Sequence, residues 1–194
     1  TQELYSINDR VNLKSSINLV RQNIDLILNG TGEFDDNKIN ILIDYISSLK
    51  KPQRGDRNVS RKLNEEALLD LKNGDFNDAS YKFKMALDYD LGDQEIANNL
   101  GYAFIKTGNY DLATDAIAHS LLISPTRSSA WANLAYILAK SDRINDSTSA
   151  YLLTYRYSQN QQKTREFLLN QTNEDSDSRV RSASALAIQA IQNQ

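Results

Sequence analysis

Residues Asp93 to Pro125 read DQEIANNLGYAFIKTGNYDLATDAIAHSLLISP. Leu100-Gly101, Phe104, Gly108, Tyr110, Ala113, Ile117 and Pro125 stand there at the offsets of a helix–turn–helix unit that recurs about every 34 residues. Stepping outward by that interval brings Ala67, Gly101 and Ala135 into one column, where two helices must approach closely, and Ala79, Ala113 and Ser147 into a second. Phe76, Tyr110 and Ile144 align in the same way, as do Phe83, Ile117 and Tyr151. Gly74 and Gly108 fall at the turn between paired helices, where a residue free to take positive φ relieves strain, and Asp142 replaces them in the third copy. Agreement across several columns marks three consecutive copies of one supersecondary unit.

These residues resemble the tetratricopeptide repeat. The resemblance covers residues 60–160, as copies 60–93, 94–127 and 128–160, and implies an all-α fold: a right-handed superhelix of antiparallel helix pairs with a concave inner face. The second copy matches best. The third keeps Trp131, Leu134, Ala135 and Leu138 but has Gln159 where the family often has proline, so its exit is expected to be a continued helix. The first has Glu66 and Asp70 in columns that the family fills with apolar residues, with Leu68 and Leu71 beside them, so its first helix is expected to be rotated, toward the N-terminal segment.

Residues 1–50 read as a helical hairpin. Leu13, Ile17, Val20, Ile24 and Ile27 make one stripe, Asn29-Gly30-Thr31-Gly32 stop it, and Ile39, Leu42, Ile43, Ile46 and Leu49 make the next, with Asp35 and Asp36 suited to its N-terminus. Two uses of these stripes stay open: packing on the first repeat or shielding an exposed end, and homodimerisation through the N-terminal helices. Residues 51–59 are expected to be an exposed basic linker, since Pro52 and Gly55 break the pattern and Lys50, Lys51, Arg54 and Arg57 flank a single acid, Asp56. Contact with phosphate or an anionic membrane is the other reading of that charge. The tripeptide Arg54-Gly55-Asp56 looks like an integrin-binding motif, but three residues recur by chance. Residues 161–194 read as capping helices: 161–170 with Phe167, Leu168 and Leu169 covers the last repeat, and 178–192 with Val180, Ala183, Leu186, Ala187, Ala190 and Ile191 packs locally or folds back into the groove.

With 194 residues, 40% hydrophobic and 24% charged, the chain suits one or two modest cores. A net charge of −3 and a pI near 5.2 argue against a nucleic-acid partner, which needs a clustered basic surface. The lack of cysteine removes disulfides, thiolate metal sites and a cysteine nucleophile. His119 is the only histidine and, by the family pattern, faces the exposed side of its helix in a surface or structural role. Asp35-Asp36, Glu65-Glu66 and Glu174-Asp175 are adjacent acids that point apart on a helix, so they make poor catalytic or metal pairs. No phosphate loop, zinc motif or nucleophile–base pattern appears, so no enzyme activity, metal or cofactor is expected. Sequons at Asn29, Asn58, Asn145 and Asn170 are as many as chance gives at this Asn, Ser and Thr content.

In tetratricopeptide repeats the first helix of each pair lines the groove. The resemblance therefore implies a partner-binding face of Asn64, Leu68, Leu71 and Lys72 from the first copy and Asn98, Tyr102, Ile105 and Lys106 from the second. The third supplies Ala132, Asn133, Tyr136, Ala139 and Lys140. Asn offers backbone hydrogen bonds, Tyr offers apolar area at low entropic cost, and the lysines favour acidic ligand groups, so a protein or peptide segment is the expected partner. Only Asn99 and Asn133 match the family's chaperone-tail clamp, so Hsp70 or Hsp90 tails are not expected. The expected function is a non-enzymatic adaptor. A bacterial setting in envelope, pilus or secretion-system assembly is expected from the Asn, Ile, Lys and Ser content and the common use of such scaffolds. A type III-like secretion chaperone and a docking or regulatory domain of a larger enzyme stay open beside it. The periplasm or the outer membrane is favoured over the cytoplasm, with a membrane anchor only if one was removed upstream of Thr1.

Overall fold

The computed structural model describes residues 5–30 and 34–193. Among them run ten helices and no strand: α1 (Ile7–Leu28), α2 (Asp36–Ser48), α3 (Arg57–Asn73), α4 (Phe76–Tyr89), α5 (Gln94–Lys106), α6 (Tyr110–Ile123), α7 (Ser128–Lys140), α8 (Ile144–Arg156), α9 (Gln161–Glu174) and α10 (Ser178–Gln192). Of the stop expected after α1, Asn29 and Gly30 form a turn with φ of +39° and +74°, while Thr31 and Gly32 lie outside the described residues. Contacts divide the chain into two units. The first joins the described residues up to Gln22 with Asp44–Pro125; the second joins Asn23–Ile43 with Thr126 onward.

In the first unit α3 pairs with α4 and α5 with α6. Each first helix starts at an aspartate that satisfies otherwise orphaned N–H groups: Asp56 accepts from Asn58 and Val59, and Asp93 accepts from Glu95 and Ile96. Gly74 and Gly108 close the same helices with φ of +86° and +76°. The small-residue columns do what their spacing demands. Ala67, Ala79 and Ala113 are fully buried, and a Cβ on Gly101 would stand 2.5 Å from Ile117 Cδ1. Ser60, Asn64 and Ala67 are all buried along α3, so the first copy keeps the phase of the others and its first helix is not rotated. Asp70 fits its column by pairing with Lys82 of α4 at 2.8 Å.

The basic stretch is a clasp in place of a free linker. Arg54 donates to Asp90 at 3.1 Å and to Asp93 at 3.3 Å, and Asp90 also accepts the N–H groups of Gly55 and Gly92. The Asp56 N–H donates to the Tyr89 carbonyl, and a Cβ on Gly55 would run into that carbonyl and the Tyr5 hydroxyl. Arg54-Gly55-Asp56 is thus consumed by the fold, and α3 begins at Arg57, inside the expected linker. Lys50 and Lys51 stay exposed.

The N-terminal residues of this unit lie along second helices. Arg10 pairs with Asp88 of α4 and Arg21 with Asp115 of α6. The Tyr5 hydroxyl donates to the Gln53 carbonyl and accepts the Leu91 N–H.

In the second unit α7 pairs with α8 around Trp131, Leu134, Tyr151 and Leu153. Asp142 holds a φ of +63° at the turn, a conformation that aspartate tolerates better than most residues. Ser147 fills the small-residue site and donates to the Ala135 carbonyl at 2.7 Å. The continued exit helix is not formed: α8 stops at Arg156, and Asn160 caps a separate α9 by accepting the Lys163 N–H. The helix that seals the repeat is α10. It packs on α8 and reaches α7, and Thr148 donates to the Ala183 carbonyl at 3.3 Å, early residues of both helices, so α10 runs parallel to α8. Between Asn23 and Ile43, Asp25 pairs with Arg143 and Asp36 with Arg156, at the two ends of α8.

Val20, Ile24 and Leu28 of α1 and Ile39, Leu42 and Ile46 of α2 are buried within the chain itself. A homodimer built on those stripes would have to empty them first. Ile7, Val11, Leu19, Leu26 and Ile41 are the large apolar side chains that these helices expose.

Candidate functional site

The first-helix face of the first unit is built by parallel α3 and α5. Arg61 spans their starts, reaching Asp93 and Glu95 at 2.7 Å each, and these contacts raise its pKa. One turn on, the Asn99 side-chain amide donates to Asn64 Oδ1 at 3.2 Å. Farther along stand Leu68 and Tyr102, 40% and 38% exposed, and then Lys72 and Lys106, both exposed. The Lys106 ammonium lies 5.3 Å from the Tyr102 ring centre, within cation–π range. The face therefore grades from a closed ion network through paired amides to open apolar area and then to free positive charge.

Of the residues expected there, Leu68, Lys72, Tyr102 and Lys106 offer surface and Leu71 is half-buried. Asn64, Asn98 and Ile105 are buried. Asn64 serves the repeat-to-repeat amide pair. Arg61 and Glu95 were not among the expected residues, yet they stand one repeat step apart, so the periodicity that found the fold also marks this pair.

In the second unit Asn133 and Tyr136 of α7 are half-buried, Ala132 likewise, and Ala139 is fully buried. Lys140 approaches the Tyr136 ring at 6.0 Å, repeating the Tyr102–Lys106 arrangement. Its ammonium, however, is held 2.7 Å from Asp177, which caps α10 and also binds Arg179. Arg179 and Lys140 together hold the Asp177 carboxyl far below the usual carboxylate range. The third-repeat lysine thus already has an acidic partner from the chain.

His119 is not at a surface. It is 3% exposed and donates from Nε2 to the Leu91 carbonyl at 2.8 Å, and burial pushes its pKa down to about 4. A cleft of about 120 Å³ beside the start of α1, lined by Tyr5, Asp9, Lys50, Lys51 and Arg54 among others, holds the basic stretch.

No family model matches the sequence, and no curated protein matches it. Solved structures do. The first tetratricopeptide domain of Spaghetti (RPAP3), bound to the HSP90 peptide SRMEEVD, is similar with a TM-score of 0.55 at 13% identity, over 60% of this chain and 93% of that one. The Yersinia enterocolitica type III secretion chaperone SycD, in complex with a peptide of the translocator YopD, is similar with a TM-score of 0.54 at 18% identity, over 69% and 92%. SycD in an alternative dimer gives 0.55 at 19%, over 71% and 96%. At such identities the likeness is one of fold, and the fold is that of the tetratricopeptide repeat.

Proposed function

We propose that the chain is a non-enzymatic scaffold that captures a segment of a partner protein on its first-helix faces. The observation that carries this reading is the α3–α5 face, where Leu68 and Tyr102 are left substantially exposed between an ion-paired polar end and the exposed ammonium groups of Lys72 and Lys106. Large apolar side chains beside free cations suit an amphipathic segment with acidic groups, because each partner surface then loses water in exchange for a matching contact. Peptides bound by RPAP3 and SycD in similar folds are in keeping with this use. A secretion chaperone of the type III kind is the second reading, supported by the extent of the SycD likeness along that chain. A bacterial envelope or secretion-system setting, periplasmic or at the outer membrane, is the cellular side of the proposal and rests on composition.

The test is capture by the immobilised chain, with bound proteins identified by mass spectrometry. Replacing Tyr102 and Tyr136 by Ala together should weaken capture at least several-fold while leaving the helical circular dichroism intact. Unchanged capture would sink the first-helix-face assignment.

A further inference from the structure

Asn29 and Gly30 form the tip that follows α1, and the second unit holds this tip by its backbone. The Gly30 N–H donates to Asp146 Oδ1 at 2.7 Å, and the Asn145 side-chain amide donates to the Gly30 carbonyl at 2.9 Å. Both tip residues have positive φ, which Asn and Gly adopt at low cost. The carboxylate that grips the tip is fully committed. Asp146 is 3% exposed, its other oxygen accepts from Arg143 at 2.7 Å, and Arg143 also pairs with Asp25 at 2.6 Å. One guanidinium therefore serves two carboxylates.

An asparagine followed by glycine is the dipeptide whose side-chain amide is most open to attack by the next backbone nitrogen, because glycine has no Cβ to obstruct the approach. We propose that exposed Asn29 is a covalent modification site at which deamidation acts as a one-way release of the α1–α2 tip from α8. The Gly30 nitrogen gives up its proton and attacks Asn29 Cγ; the bond from Cγ to the side-chain nitrogen breaks and ammonia leaves, carrying the balance of protons. Water then opens the resulting succinimide to an aspartyl or isoaspartyl residue, and water is the sole co-reactant. While the tip is latched, the nitrogen that must become anionic faces the Asp146 carboxylate. That negative charge opposes deprotonation, and the hydrogen bond restrains the rotation that ring closure needs. After reaction, a third carboxylate stands beside a cluster whose single arginine is already shared, so the tip cannot re-dock without like-charge repulsion.

The chain holds its own reference. Asn73-Gly74 is the same dipeptide, placed at the end of α3, where the Gly74 N–H donates to helix carbonyls including Leu71 O at 3.2 Å. The purified full chain, incubated at neutral pH and physiological temperature, is mapped by mass spectrometry for aspartyl and isoaspartyl at positions 29 and 73. Asp146→Ala should speed conversion at 29 several-fold relative to 73, and converted wild type should show faster hydrogen exchange over residues 36–43 with α5 unchanged. Equal relative rates in wild type and Asp146→Ala, or conversion without change over 36–43, overturns the proposal. Should Asp146→Ala raise exchange throughout α7 and α8, the decision passes to Asn29→Asp, which carries the product charge with α8 intact. It must raise exchange over 36–43, and unaltered exchange there overturns the release.

Discussion

Protonating His119 would bury a charge, and the fold resists it. With a folded pKa of about 4 against an ordinary value of 6.5, the folded chain binds the proton less well than the unfolded one. The sign follows: above about pH 6.5 the group makes no difference, and stability falls as pH drops from 6.5 toward 4, by about 3 kcal/mol in all. Urea unfolding at stepped pH should show this loss in wild type, and His119→Gln, which can still donate to the Leu91 carbonyl, should lack that component. Equal slopes in the two proteins would mean that His119 does not set the acid sensitivity. Sequence columns placed this ring on the outer side of its helix, and in an isolated repeat that is where it would be. Its neighbour one turn earlier, Asp115, pairs with Arg21 of α1, so the N-terminal helix runs along that same face. Repeat columns tell which way a side chain points within its own helix pair. They are silent on contacts made from outside that pair, and that accounts for His119, held by the Leu91 carbonyl before α5, and for the linker reading of Arg54.

At the level of single helices, turn glycines and small-residue columns were legible because each is a local requirement. Gly74 and Gly101 do in the fold what their spacing demands, whereas the Asp56 cap lay inside a stretch read as linker. The final helix was legible as a helix, but its placement was not, since no local signal says that α10 packs on α8 more extensively than α9 does. Asp177 fixes that arrangement by capping α10 through the Arg179 N–H and by holding Lys140 of α7. Asp177→Ala removes both roles and should lower stability by about 1–2 kcal/mol, or roughly 2–8 °C in Tm, by differential scanning calorimetry at neutral pH. Asp177→Asn retains a capping oxygen and should lose only the ionic part. Its deficit should shrink on acidification, because the wild-type carboxylate contributes above the unfolded pKa of about 3.9 and that contribution fades as pH falls. If Asn and Ala cost the same, the cap is irrelevant and the ion pair alone seats the helix.

For the molecule as a whole, the sequence suggested modules in series: a hairpin at 1–50, a linker at 51–59, the repeats at 60–160 and the caps at 161–194. The contacts instead assign one part of the hairpin to each of two units. Periodicity detects units that repeat, whereas α1 and α2 occur once and their partners lie far away in sequence. Their burial makes the division consequential. Val20, Ile24, Leu28, Ile39, Leu42 and Ile46 are each at most 4% exposed, and such side chains contribute about 1.5–3 kcal/mol apiece when fully buried. Their sum, on the order of 10 kcal/mol, rivals the entire net stability of an ordinary domain. Removing residues 1–53 would also strip Arg10, Arg21, Asp25 and Asp36 from Asp88, Asp115, Arg143 and Arg156. A chain of residues 54–194 should therefore melt without a sharp transition, or with a midpoint lowered by more than roughly 10 °C, by circular dichroism at 222 nm. If that shorter chain instead melts within a few degrees of the full one, the repeats fold alone and the hairpin is the dispensable module that the sequence boundaries imply.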